Sequence, residues 1–155
     1  MIKADVLIAN KRWKKYIRTP GQYINNKLKK INKKTNLFKK NSCSFTLLLS
    51  EGVEIKKLNL RYRKKNRTTD ILSFPFHEKA FLKKLFKKKK NKIYLGDIII
   101  NLNKIVKKTK NESFKLSFDK IWIHGLTHLL GYRHKSNLDF SVMNKIEAKL
   151  FEIVK

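Results

Sequence analysis

The chain has 155 residues, enough for one domain with a real core and short of two. Its formal charge of +28 rests on 39 basic residues, 33 of them lysine; an AT-rich genome produces this bias as readily as selection for a polyanion, yet the resulting field attracts phosphates and makes nucleic acid the expected partner. The lone Cys43 excludes an intramolecular disulfide, no apolar run approaches the roughly 18 residues of a membrane helix, and MIKADVLIANKRWKK lacks a secretory apolar stretch, so one cytoplasmic domain over residues 1 to 155 is expected.

Residues 2 to 9, IKADVLIA, read as a first strand with imperfect alternation. Apolar residues at 24, 28, 31, 37 and 38 give the stretch from 23 to 38 an approximately helical spacing. SCSFTLLLS, 42 to 50, is a short apolar run bounded by polar residues and suits a strand with little exposure; Cys43 within it is expected to act as a small buried hydrophobe. Ser50 and Glu51 open a helix that places Val53, Leu58 and Tyr62 on related faces. TDILSFPF, 69 to 76, reads as a strand leaving the sheet edge at its proline. The lysine-rich stretch from 83 to 92 is expected to be a solvated loop or hairpin, or equally to trail along a phosphate backbone. IYLGDIIIN, 93 to 101, predicts a strand whose Gly-Asp pair marks a bulge or a close backbone approach. Two helices close the chain, from about 113 to 130 and from 138 to 153, the second with Leu138, Val142, Ile146, Leu150 and Ile153 at helical spacing. The whole predicts an α+β domain: a small mixed sheet of about four strands with surrounding helices.

The chemistry is concentrated in HGLTHLLGYRH, residues 124 to 134, which carries three of the four histidines in the chain. On a helix, His124 and His128 stand one turn apart on one face and can point at one ion. Gly131 can take the left-handed conformation that ends a helix, so that the chain turns and brings His134 in as a third ligand. Three nitrogens with a fourth position open suit a catalytic zinc, although nickel, copper and iron also accept imidazole. A lone histidine on an apolar face is usually a satisfied core residue; three of them around a glycine bend point to a metal. The spacing is that of the metzincin proteases, H-E-x-x-H-x-x-G-x-x-H, but Gly125 stands where those enzymes carry their general-base glutamate. That disfavours peptide hydrolysis and, with a basic chain and a Lewis acid, shifts the expected substrate to a phosphodiester. Arg63 is the candidate to hold the phosphate and the charge that grows on it. Arg61 and Arg67 read as surface charges, and Asp70 and Asp97 as strand-end or turn residues and not as ligands. An RNA- or ribosome-binding protein with a structural metal and a zincin-like metallopeptidase are the alternative classes.

Three blocks resemble the YbeY endoribonucleases, or rRNA maturation factors. LNLRYRKKNRTTDILSFPF is similar to the family's N-x-x-Y-R and T-D-V-L-S-F-P, LGDIII to its L-G-D-I strand, and HGLTHLLGYRHKSNLDFSVMNKIE to H-G-x-L-H-L-x-G-Y-D-H followed by M-x-x-x-E. The resemblance implies a zincin-like fold with the motif helix under the sheet, and one zinc ion per chain on His124, His128 and His134, with Arg63 as the functional arginine. It further implies single-strand-specific cleavage of RNA in maturation of the 16S rRNA 3′ end and in quality control of ribosomes, with rRNA and the small ribosomal subunit as partners. Two positions depart from the pattern: Arg133 replaces an aspartate and Thr127 a leucine. An aspartate there could orient the third ligand, and an arginine cannot accept that hydrogen bond. Either Asp139 or Glu147 substitutes as acceptor, or position 133 faces solvent and follows the basic drift of the chain.

Overall fold

Burial alternates along SCSFTLLLS, with Phe45, Leu47 and Leu49 fully inside, and this stretch is a central strand of a four-stranded sheet. The computed structural model describes residues 1–109 and 113–155. Its strands are β1 (Ile2–Ile8), β2 (Ser42–Ser50), β3 (Ile71–Pro75) and β4 (Lys92–Asn101), in the order β1-β2-β4-β3. β2 is parallel to both β1 and β4, whereas β3 runs antiparallel along β4 at the edge. Parallel neighbours need crossover connections. α1 (Pro20–Lys34) supplies the first, and α2 (Gly52–Arg63) and α3 (Lys79–Lys87) flank β3 in the second; α4 (Leu102–Lys108), α5 (Phe114–Leu129) and α6 (Asn137–Val154) follow β4. The fold is the expected α+β class with a mixed sheet of four strands.

Successive side chains of a strand face opposite ways, and β4 separates two apolar layers accordingly. Ile98 and Ile100 join the main core, while Ile99 packs with Leu72 and Ile55 under α2. On the main side α1 lies on β1, α5 on β3 and β4, and α6 against both α1 and α5. Trp122, Phe118 and Leu126 of α5 are fully buried there. Asp119 is buried with them and satisfied three ways: by Lys27 Nζ at 2.9 Å, the Tyr23 hydroxyl at 3.0 Å and the Trp122 indole N–H at 2.9 Å. Burial and the adjacent carboxylate push the Tyr23 phenol well above its ordinary value. Cys43 is buried in β2, where burial raises its thiol to about 11.

The expected bulge is present. Tyr94 pairs with Ser44 but Asp97 with Thr46, so β4 carries one extra residue against β2. Gly96 has φ +132°, and a Cβ there would stand 2.1 Å from the Phe74 carbonyl oxygen, so only glycine lets β3 approach.

Four expectations are corrected. The lysine-rich stretch after residue 83 is mostly helix, because α3 begins at Lys79 and reveals an apolar face of Leu82, Leu85 and Phe86 that a window opening at 83 cuts in half. α1 spans Pro20–Lys34 and not 23 to 38: Pro20 opens it in the first turn, where no N–H is needed. On α2 the inward face is Ile55 and Asn59, leaving Val53 and Tyr62 exposed, and on α6 Leu138 and Val142 are exposed while Met143, Leu150 and Val154 are buried. α4 was not anticipated; Asn101 caps it, its side-chain oxygen accepting from Asn103 N–H at 3.1 Å. No helix among the described residues is long and apolar enough to cross a membrane.

Candidate metal centre

α5 is buried along most of its length, and His124 and His128 sit where one side of it meets a cleft. The helix stops through a paired cap: Gly131 N–H donates to the His128 carbonyl at 2.9 Å and Tyr132 N–H to the Thr127 carbonyl at 3.1 Å, which is the Schellman pattern. Gly131 takes φ +88° as the spacing requires. The chain turns there and His134 returns to the other two rings, whose centroids lie 5.2 Å (His124) and 4.9 Å (His128) from its own. Ligand-type atoms of all three histidines lie within 4.8 Å of one another.

The protons of two rings are directed away from the meeting point. His124 Nδ1 donates to Glu147 Oε1 at 2.7 Å, and His128 Nδ1 to the Tyr132 carbonyl oxygen at 2.9 Å. Each Nε2 is then left with its lone pair, and the two Nε2 atoms face each other at 3.1 Å. Two unshared nitrogens that close repel unless a cation lies between them. Two ligands of a tetrahedral zinc, at about 2.0–2.1 Å from the ion, stand roughly 3.3 Å apart, so the donor set fits such an ion. Burial first, then the neighbouring His124 ring, holds the His128 imidazole below its ordinary value and keeps it in the neutral form that binds metal.

Glu147 and Thr127 explain one departure from the sequence pattern. The Thr127 hydroxyl is fully buried and has two acceptors within reach of its one proton, the His124 carbonyl at 2.7 Å and Glu147 Oε1 at 3.2 Å. Burial opposes ionisation of Glu147, but the His124 and Thr127 hydrogen bonds outweigh it and its carboxyl lies below its ordinary value. A leucine at 127 could not contribute that bond. Glu147→Ala is expected to weaken metal binding roughly 10–100-fold, the usual cost of losing a partner that orients a ligand; competition against a chromogenic chelator measures it. Arg133 is exposed. Glu147 supports the first ligand and not the third, so the missing aspartate is not replaced at His134, whose ring instead packs against His124 and Phe140.

Gly125 points away from the cleft, into the sheet. A Cβ there would meet Ile71 Cδ1 at 2.8 Å and Ile98 Cδ1 at 3.0 Å. A side chain at this position would have to push aside the Ile71 and Ile98 side chains and would start toward the sheet and not the cleft, so the position does not suit the metzincin base. Gly125→Ala is expected to cost about 1–3 kcal/mol by overpacking, read from the midpoint of urea unfolding.

The histidines form one side of a cleft of about 490 Å³ whose lining also includes Arg63, Thr69, Ser73 and Arg133. Arg63 ends α2 and reaches the cleft because the loop after it is pinned: Asn59 Nδ2 donates to the Arg67 carbonyl at 2.7 Å, and Asn101 Nδ2 to the Thr68 hydroxyl at 2.9 Å and the Thr69 carbonyl at 3.0 Å. Among the described residues Asp70 is the one carboxylate that lines the cleft, but its oxygen is held by Lys108 at 2.7 Å. Burial opposes its charge, and the Lys108 contact outweighs burial and keeps the carboxyl below its ordinary value. Asp97 is exposed, accepts from the Tyr94 hydroxyl at 2.6 Å and is not part of the cleft. Arg61 and Arg67 are likewise exposed and outside it. Sequence reasoning therefore brought together the four residues that share the cleft, and missed the Tyr132 carbonyl, which leaves no side-chain signal, and the role of Thr127.

A family model described as Endoribonuclease YbeY matches residues 7–155. The chain is 41% identical over 158 residues to a protein named Endoribonuclease YbeY from Pelagibacter ubique, covering 100% of this chain and 97% of that one. It is 31% identical to the protein of the same name from Ehrlichia canis, with 96% and 90% covered. A solution structure of a Thermotoga maritima protein shares the fold, with a TM-score of 0.56 at 22% identity over 99% of this chain and 89% of that one.

Proposed function

Because the chain belongs to the YbeY endoribonuclease family, we propose that residues 1–155 form one metal-dependent domain that cleaves single-stranded RNA at the His124–His128–His134 site. The observation that carries this reading is the shared cleft: three imidazoles converge on one side, and two arginine side chains, Arg63 and Arg133, line the same space. Its one carboxylate is neutralised by a lysine, which suits an anionic phosphodiester better than a peptide.

Zinc is the ion we assign, one per chain; when bound it supplies Lewis acidity toward a phosphoryl oxygen and acidifies a water molecule. The protein's own part is positioning. Glu147 and the Tyr132 carbonyl fix the ring orientation of His124 and His128. Arg63 offers a planar fork of donors to the phosphate and to the charge that accumulates on it as the strand is cut. Three protein ligands leave a coordination position open, which favours a catalytic site over a closed structural one. In the cell the substrate we assign is ribosomal RNA, with cleavage at the 16S rRNA 3′ end and quality control on the small subunit, in the cytoplasm.

The test is a comparison of substrates. Single-stranded RNA, the same RNA annealed to its complement and a peptide library are each incubated with the protein, with and without chelator. Cleavage confined to the single strand and abolished by chelator is the expected result; hydrolysis of peptides, or RNA cleavage indifferent to chelator, would overturn the reading.

A further inference from the structure

A second cavity lies beside the histidine cleft and shares Tyr132 with it. It occupies about 680 Å³ between α3 and the turn that leads from α1 into β2, within the roughly 300–1,000 Å³ typical of small-ligand sites. Its apolar surface is built from Leu37, Leu82, Phe86 and Leu130. Around it stand Lys40, Lys79, Lys83 and Lys87, and among the described residues none of the four pairs with a carboxylate. An apolar floor ringed by unpaired cations is complementary to a ligand that is flat and apolar in one part and anionic in another.

Tyr132 joins the two cavities. Its side lines both, its carbonyl oxygen orients His128, and Lys79 Nζ stands 5.6 Å from its ring centroid. A strand lying across the histidines therefore has a continuous path past Tyr132 into the second groove.

We propose that this groove is a subsite for a nucleotide flanking the scissile phosphate, with an unpaired base on the Leu37–Phe86–Tyr132 surface and adjacent phosphates on the lysines. The proposal rests on the reading of the chain as an enzyme acting on RNA. It also accounts for preference between strands: a base reaches an apolar floor only when it is not stacked and paired in a duplex, and stacking on aromatic side chains tolerates any base. The lysines in the second half of α3, whose sequence is compatible with a solvated segment or with a phosphate backbone, are thereby assigned to the latter.

The experiment measures binding, not cleavage, so that it stands apart from the catalytic reading. Chelator-treated full-length protein is titrated into a fluorescent single-stranded RNA, and anisotropy is followed at several salt concentrations. Lys83→Glu/Lys87→Glu is compared with Lys29→Glu/Lys30→Glu, an equal charge change at exposed positions of α1 outside the groove. The first pair is expected to bind at least tenfold more weakly than the second and to reduce the slope of log K against log salt by about 1.4, or about 0.7 for each lost contact to a single strand. An RNA carrying abasic positions is expected to bind several-fold more weakly to wild type, with that difference lost in a Leu37→Asp variant. Equal binding by the two charge-reversed pairs would overturn the subsite. So would equal affinity for abasic and intact RNA together with equally tight binding of a polyglutamate peptide, which would make the groove a general polyanion surface. If wild type cleaves no RNA yet the groove variants lose binding as stated, the catalytic reading fails and the groove stands as a nucleotide-binding site only.

Discussion

His128→Ala is expected to remove both bound metal and RNA cleavage while leaving the fold intact. His128 contributes one of the two Nε2 atoms that face each other at 3.1 Å, and its loss leaves two imidazoles, one of them on the exposed turn after Gly131. Loss of an orienting partner alone weakens a metal site roughly 10–100-fold, and loss of a ligand exceeds that. Elemental analysis should fall from one ion per chain to background, and cleavage with it. The ring is half-buried at a cleft wall, not in the main core, so thermal unfolding of the chelated variant should match that of chelated wild type. A variant that keeps stoichiometric metal would show that the three histidines are not the ligand set.

Arg63→Ala should separate chemistry from metal binding. Arg63 lines the cleft and, among the described residues, forms no hydrogen bond to the histidines, so metal content should be unchanged. Removing a donor aimed at transition-state charge costs roughly 10²–10³ in kcat, and Arg63→Lys should recover only part of that, because an ammonium keeps the charge and loses the planar fork. The slope of log K against log salt should fall by only about 0.7, the share of one lost contact to a single strand, since 33 lysines carry most of the field. A loss in KM alone, with kcat intact, would assign Arg63 to uniform binding and not to the step itself.

The candidate metal site was legible because its residues are local. His124 and His128 are neighbours by helical periodicity, and the left-handed turn at Gly131 is a backbone requirement that glycine announces. Arg63 was legible as a planar fork of donors suited to a phosphate, in a block that also resembles the family's; its place in the cleft depends on Asn59 and Asn101 holding the loop after it. The support from Thr127 was not legible at all. Its value lies in Glu147, on a different helix and 20 residues away, and a single sequence shows only that a polar residue has replaced an apolar one. Among elements, β4 and its bulge were plain from an apolar run broken by Gly-Asp. α3 was hidden because lysine, a good helix former, dominates its second half and masks the spacing of Leu82, Leu85 and Phe86. The faces of α2 and α6 were misassigned because periodicity identifies a stripe but not where the neighbouring element ends: beyond the reach of the core, Val53 and Leu138 keep the period and lose the burial.

The central claim is that RNA is cut at the three-histidine site by means of its ion. Its most direct test is a single preparation of wild type whose metal content and cleavage of single-stranded RNA are measured together, before chelation, after it, and after titration with zinc. The account predicts that cleavage disappears as the ion is withdrawn and returns in proportion to zinc up to one equivalent per chain; undiminished cleavage by protein shown to be metal-free would contradict it.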